Sequence, residues 1–341
     1  MKREFTKGIG RLLSGCSLSM MALSMAATPM AHAQDAIKVG LILPSYDQIR
    51  WANGDQPCFE AEAKKLGMEV STVASQMSES VQASQVENML TQGVDVLVLR
   101  PVNAAASQGL VRMANLAGVP VVAYDSLPLN ADVAAFVARD AIAMAVEIAE
   151  AAVKAHPTGN YSLALGDEGT NVAVEERTGY YQVLQPYLDS GAITIVSEQY
   201  NKGWSSESSR AQVENGLTKA NNDVVAVLAG NDGTAYGAIQ ALQAQGLAGQ
   251  VWVNGVDAEP RAQELITLGD MTLSNFTDYC QSGQAAAQIA MKLATGEDLG
   301  LTATFNNGLK DVPWFQVDKF NVTKDNLPEL QETMSWWFKK P

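Results

Sequence analysis

Twice along the chain, short runs rich in Val, Ile and Leu alternate with longer stretches whose apolar residues recur every three or four positions. That alternation calls for parallel β-strands joined by helices, because a parallel pair needs a crossover connection and both faces of its sheet covered. The first series places strands at 37–43, 68–73, 94–99 and 119–123, with helices at 55–66, 78–92 and 104–117. Gly67, Gly93 and Gly118 stand where those helices stop, the position at which a left-handed residue ends a helix. The pattern restarts with strands at 161–165, 193–198, 224–228 and 251–254, alternating with helices near 172–187, 205–220, 233–245 and 260–268. A single core stops growing beyond roughly 250–300 residues. A chain of 341 residues with two such series is therefore expected to form two doubly wound α/β lobes facing one another.

The first 33 residues read as a secretory signal peptide: Lys2, Arg3, Lys7 and Arg11, an apolar run over 17–27, then Ala31-His32-Ala33 at the cleavable position. Leu13-Ser14-Gly15-Cys16 has lipobox character, but the apolar core falls after Cys16, which makes a lipoprotein signal the lesser reading. Cleavage leaves 308 residues in which no later stretch is long and apolar enough to anchor the chain. The whole chain carries 23 basic and 37 acidic residues, and removal of the leader takes its net charge from −14 to −17. This acidity suits solubility after export and not a phosphate backbone, so no nucleic acid partner is expected. Of the cysteines, Cys58 and Cys280 remain after cleavage. An exported protein permits them to pair, but their spacing does not indicate it, and two thiols with no histidine beside them are too few for a structural zinc site. No metal is expected.

Neither series opens with Gly-x-Gly-x-x-Gly, and Gly-x4-Gly-Lys-Ser/Thr occurs nowhere, so no nucleotide cofactor is expected. In open α/β sheets ligands settle beyond the carboxyl ends of the strands. The residues there are Ser45, Tyr46, Asp47, Arg50 and Trp51, then Arg100 and Asn103, then Asp125. The second series adds Asp167 and Asn171, Gln199 and Trp204, Asn231 and Asp232, and Asp257. Many Asp and Asn residues at such positions merely cap helices or form turns. As a set, however, carboxylates, amides, guanidinium forks and indoles match a sugar, whose hydroxyls both donate and accept and whose C–H face packs on an aromatic ring. Trp51 and Trp204 are placed to sandwich such a ring in a gap of monosaccharide size.

Catalysis has little to stand on. His156 is the one histidine past the leader, and it precedes Pro157 where a helix must end, which suits a C-terminal cap better than a general base. No catalytic residue is assigned. A hydrolase using Asp125 and Asp257 as paired carboxylates stays open as the alternative, as does a sugar sensor read by a receptor or kinase. The effector core of a sugar-responsive repressor is disfavoured by the leader and by the lack of a basic DNA-binding headpiece before Ala36.

Several segments resemble the periplasmic sugar-binding proteins of ABC importers. They include Arg50-Trp51, Gln85-Val86-Glu87-Asn88-Met89, Ala123-Tyr124-Asp125, Leu184-Gln185-Pro186-Tyr187, Gly203-Trp204 and Asn231-Asp232. Asn306-Asn307-Gly308-Leu309-Lys310-Asp311-Val312-Pro313 is the most specific. The resemblance implies a type I periplasmic binding protein: two Rossmann-like lobes joined by a three-strand hinge crossing near Arg139, Asn275 and Phe305. One lobe would comprise 34–138 with 276–304, the other 139–275 with 305–341. It implies ligand contacts from Arg50, Trp51, Asp125, Asn171, Arg177, Trp204, Asn231 and Asp257. It further implies a monosaccharide ligand, a permease in the inner membrane as partner, a periplasmic location and a monomeric state. The chain departs from its relatives at Ser126, where they carry Arg, and at 274–278, which holds two extra residues where xylose binders carry Lys. Arg100, at a position usually apolar in the relatives, is expected to supply the missing positive charge.

Overall fold

The computed structural model describes residues 36–338; the expected signal peptide, 1–33, lies outside the described residues. The first lobe begins with β1 (Lys38–Leu43), α1 (Gln56–Lys65), β2 (Glu69–Ala74), α2 (Glu79–Thr91), β3 (Val96–Leu99), α3 (Gln108–Leu116), β4 (Val121–Tyr124) and β5 (Ala135–Ala138). The chain then builds the second lobe from α4 (Ala141–Ala155), β6 (Gly159–Leu165), α5 (Asn171–Asp189), β7 (Ile193–Tyr200), α6 (Ser206–Lys219), β8 (Ala226–Ala229), α7 (Asp232–Ala244), β9 (Trp252–Val256), α8 (Pro260–Leu268) and β10 (Leu273–Thr277). It returns with α9 (Tyr279–Thr295), β11 (Ala303–Asn306) and β12 (Asp311–Gln316), and ends with β13 (Lys319–Thr323) and α10 (Leu327–Thr333).

The first sheet has the order β11-β12-β5-β4-β3-β1-β2, the second β13-β10-β9-β8-β6-β7. Both are parallel except where β12 turns back on β11 and where β13 runs against β10. Strands β1, β3, β4, β8 and β9 are buried almost throughout, which is why they read as continuous apolar runs. Each fully buried Val, Leu or Ile contributes about 1.5–3 kcal/mol, and the sheets hold such residues on both faces.

Three segments carry the chain between lobes: one after β5 through Arg139, one after β10 through Asp278, and one between β12 and β13. The third lies elsewhere than expected. Phe305 sits within β11 of the first sheet, and so does all of β12, so 305–316 extends the first lobe instead of opening the second. The cause is the hairpin turn at Asn307-Gly308. Asn307 donates from Nδ2 to the carbonyls of Pro128 and Ala131 at 3.1 and 2.6 Å, tying the turn to the first lobe. Gly308 has φ of +92°, a conformation that favours glycine.

Caps mark two crossings. Asp140 accepts from Ala143 N at the start of α4, and Asp278 from Gln281 N at the start of α9, each satisfying an N–H that the helix leaves open. Cys58 and Cys280 are paired, joining α1 to α9 with Cα atoms 4.9 Å apart. The two helices pack so closely that a Cβ on Gly283 would lie 2.7 Å from the backbone of Asp55 and Phe59. No helix among the described residues is long and apolar enough to cross a membrane.

Candidate functional site

The carboxyl ends of both sheets face one another, and there Gln48, Arg50, Arg100, Asp125 and Arg139 meet Val172, Trp204, Asn231 and Asp257 around one cavity. Asp125 is its centre. It accepts from Arg50 Nη1 at 3.0 Å and Arg139 Nη1 at 3.3 Å on Oδ1, and from Arg100 Nε at 3.2 Å on Oδ2. Burial opposes its ionisation, but the three guanidinium groups outweigh burial and hold the carboxyl well below the usual carboxylate range. Arg50 also forms a bidentate pair with Asp55, Nε to Oδ2 at 3.1 Å and Nη2 to Oδ1 at 2.9 Å, and Tyr124 donates to the same Oδ1. Asp257 accepts from the Tyr279 hydroxyl at 2.8 Å and lies 3.7 Å from Arg50 Nη1. Burial pushes Asp257 upward, against the pull of Arg50.

Three of these side chains are aimed by strained backbone. Asp125, Trp204 and Asp257 have φ of +59°, +59° and +107°, left-handed values that cost a residue with a Cβ about 1–3 kcal/mol. Each is pinned by a backbone hydrogen bond: Asp125 N to Val137 O, Trp204 N to Asn201 O, Asp257 N to Asn275 O. Gly166 makes room for the indole, since a Cβ there would lie 2.1 Å from the Trp204 ring. Asn231 caps α7 through a capping box with Thr234, which engages its Oδ1.

Not every expected residue reaches the cavity. Trp51 is buried in the first lobe's core, within a short π-helix over Trp51–Asp55 that turns its ring inward. The ring supports the Arg50 guanidinium from 4.0 Å instead of facing Trp204, so the expected indole sandwich is not formed. Arg177 lies on the far side of α5, pairing with Glu198 and stacking on Tyr181 at 4.2 Å. Asn171 opens α5 and bridges the lobes: its Oδ1 accepts from Ser126 Oγ and, at 2.7 Å, from Leu127 N. Asp167 and Asp232 serve turns and helix starts, Asp167 accepting from Gly169 N and Asp232 from Glu259 N. His156 ends α4 as its C-cap residue. Conversely, Gln48, Arg139 and Val172 border the cavity without having been singled out as contacts; Arg139 follows the four-residue strand β5, and its place after a strand was the signal available.

The space left between these side chains is about 10 Å³, the room of one water and not the monosaccharide-sized gap expected. The guanidinium groups fill it by closing on Asp125. A wider groove of about 1060 Å³ lies nearby between the lobes, bordered by Asn103, Asp167, Asn171, Glu175, Tyr200 and Lys202. Paired-carboxylate hydrolysis needs one carboxyl protonated and another free to act as base or nucleophile. Asp125 is held ionised with both oxygens engaged, and does neither.

Two facing α/β lobes with three crossings and a polar cleft between them define a binding protein of the type that closes around its solute. The chain belongs to the periplasmic binding protein family, whose domain model matches residues 39–298. It is 38% identical over 299 residues to the D-xylose-binding periplasmic protein of Escherichia coli strain K12, covering 88% of this chain and 90% of that protein. A 37% identical counterpart, also a D-xylose-binding periplasmic protein, occurs in Haemophilus influenzae, with the same coverage. Among solved structures, a carbohydrate transporter solute-binding protein from Chloroflexus aurantiacus in complex with D-glucose superposes with a TM-score of 0.83 at 28% identity, over 89% of this chain and 97% of that one. The family is one of receptors and not of enzymes.

Proposed function

We propose that this chain is the solute-binding component of an ABC sugar importer. Exported to the periplasm, it takes a monosaccharide between its lobes, closes by rotation about the three crossings, and as a monomer presents the closed form to a membrane permease. The observation that carries this reading is the convergence of Arg50, Arg100 and Asp125 from one lobe with Trp204, Asn231 and Asp257 from the other around one cavity. The xylose-binding and glucose-bound relatives support the sugar class.

A ligand that touches both lobes only when they meet favours the closed state, and that differential affinity drives closure. The ion pairs now filling the cavity must part for it. Arg100 and Arg139 hold Asp125 at 3.2 and 3.3 Å, longer than the 3.0 Å contact from Arg50, and are the groups placed to swing. A thermal-shift panel of pentoses and hexoses tests the reading. A ligand at about 100 times its dissociation constant stabilises the native state by about 2.7 kcal/mol, and a panel that leaves the transition unmoved overturns it.

A further inference from the structure

Past α10 the chain turns an indole back toward the cleft. Trp336 is partly exposed, whereas Trp337 beside it is buried, 3% exposed, outside the cavity lining. A buried indole supplies a large apolar surface and one N–H that needs an acceptor. Trp337 donates from Nε1 to the carbonyl of Ala258 over 2.8 Å, and Gln263 Nε2 donates to the same oxygen at 2.9 Å. The Trp337 ring meets the Tyr279 ring edge to face, with centroids 5.2 Å apart. It also reaches the first lobe. A Cβ on Gly54 would lie 3.0 Å from Tyr279 Cβ and 3.4 Å from Trp337 Cζ3, so the bare glycine lets the π-helix seat against both rings.

The Ala258 carbonyl belongs to the turn that aims Asp257. Asp257 and Ala258 have φ of +107° and +47°, two successive residues with a Cβ in left-handed backbone. Such a conformation persists only where the surroundings hold it. Here its peptide groups are held one by one: Asp257 N by Asn275 O at 2.7 Å, Ala258 N by Ser274 Oγ at 2.9 Å, and Glu259 N by Asp232 Oδ2 at 2.7 Å. Gln263 and Trp337 hold the carbonyl between them. Tyr279, the other group that Trp337 touches, donates to Asp257 Oδ1. Trp337 thus meets Asp257 by two routes, the backbone that aims its carboxylate and the hydroxyl that fixes one of its oxygens. We infer that Trp337 is a positioning residue for solute binding: its indole, wedged between the Asp257-Ala258 turn, Tyr279 and Gly54, holds the Asp257 carboxylate where a solute in the cleft meets it. The inference rests on the solute-binding reading above and adds to it a residue that touches no solute itself.

Hydrogen exchange of the solute-free chain, with calorimetric titration by D-xylose and D-glucose, tests it. In Trp337→Ala, checked for its fold by circular dichroism, the amides of Asp257, Ala258 and Glu259 should exchange at least about tenfold faster while those within β9 keep their protection. Affinity for whichever of the two sugars the wild type binds should fall about tenfold. Trp337→Phe keeps a ring against Tyr279 and Gly54 and removes the N–H, so both effects should shrink to about threefold. In a Tyr279→Phe background, Trp337→Ala should cost about threefold or less, because residues that act through one group are not additive. Exchange that quickens equally throughout β9 assigns Trp337 a general packing role and overturns the inference. So does a full tenfold loss in the Tyr279→Phe background. Should Trp337→Ala fail to fold, Trp337→Phe decides, and wild-type exchange and affinity in that variant overturn the inference. Wild-type affinity in Trp337→Ala overturns it and leaves the solute-binding reading standing. A wild type that binds neither sugar overturns it too, and a flat thermal-shift panel beside that result brings down the broader reading.

Discussion

Tyr279 donates its hydroxyl to Asp257 Oδ1 over 2.8 Å, and the two side chains come from opposite lobes. Asp257 follows β9 of the second sheet; Tyr279 begins α9, which packs on α1 of the first lobe just past the second crossing. The Tyr279 ring also lies 4.1 Å from the Arg50 guanidinium. One residue at a crossing therefore positions an acceptor from one lobe and a cation from the other, and hinge geometry is coupled directly to the lining of the cleft.

Tyr279→Phe keeps the ring and removes the hydroxyl. Asp257 then loses its one hydrogen-bond donor, with Arg50 at 3.7 Å as its remaining neighbour. Ligand affinity should weaken by about 1.5–3 kcal/mol, the cost of a hydrogen bond to a charged group, as read by calorimetry. An affinity equal to wild type would show that Asp257 does not depend on this hydroxyl.

Asn171 does not line the cavity, but it joins Ser126 and Leu127 across the lobes, a link that holds the two together in the arrangement described. Asn171→Ala should lower the closed population and hence the apparent affinity by about tenfold. The free variant should show a larger radius of gyration by X-ray scattering. A loss of affinity with unchanged scattering would point to a direct ligand contact instead.

Trp204 provides the one aromatic wall of the cavity, 7% exposed and pinned by strained backbone. Trp204→Ala should weaken binding by about 1–3 kcal/mol through lost ring contact. Unchanged calorimetric affinity would remove the indole from the site.

Cys58 and Cys280 close a loop of 222 residues, and a cross-link over so long a loop restricts the unfolded chain strongly. The double Cys→Ser variant should lose about 2–5 kcal/mol in urea unfolding. The same loss should follow reduction of the wild type, and no loss in either would show the bond to be energetically idle.

The fold was legible where one element sufficed to declare itself. Continuous apolar strands and glycine-stopped helices marked both lobes, because burial on both faces leaves a local pattern. The hairpin over 303–316 left none, since its membership in the first sheet depends on Asn307 reaching the backbone at 128–131. At the site, position after a strand pointed to Arg50, Arg100, Asp125, Trp204, Asn231 and Asp257, all of which meet at the cavity. The same rule could not separate Arg50 from Trp51, because the local π-helix turns one outward and the next inward. Arg177 followed from resemblance, and the rotation of α5 carries it to Glu198. Glu176, one residue earlier, faces Arg139. Helix phase at that resolution is a packing outcome, and no motif in the sequence encodes it.

Glu176 gives the protein a pH dependence whose sign follows from its burial. Desolvation raises its folded value to about 8 from 4.5, opposed by Arg139, while nearby Asp257 and Asp125 add to the rise. A group raised on folding contributes stability that is fully present below its unfolded value and lost as pH climbs through its folded one. Stability should therefore fall between about pH 4.5 and 8. Glu175 and Glu259, each pushed up to about 7 chiefly by burial, reinforce the trend. Asp125, held low, acts oppositely, and its contribution disappears only in acid below the usual carboxylate range. Melting curves of the wild type from pH 5.5 to 8.5 should shift downward, by roughly 2–4 °C for each kcal/mol lost. Glu176→Gln keeps a hydrogen-bonding group beside Arg139 without the titration, so its curves should spread less over the same range. A variant that loses stability with pH as steeply as wild type would assign the dependence to the other carboxyls that burial raises, Glu175, Glu259, Asp232 and Asp257 among them.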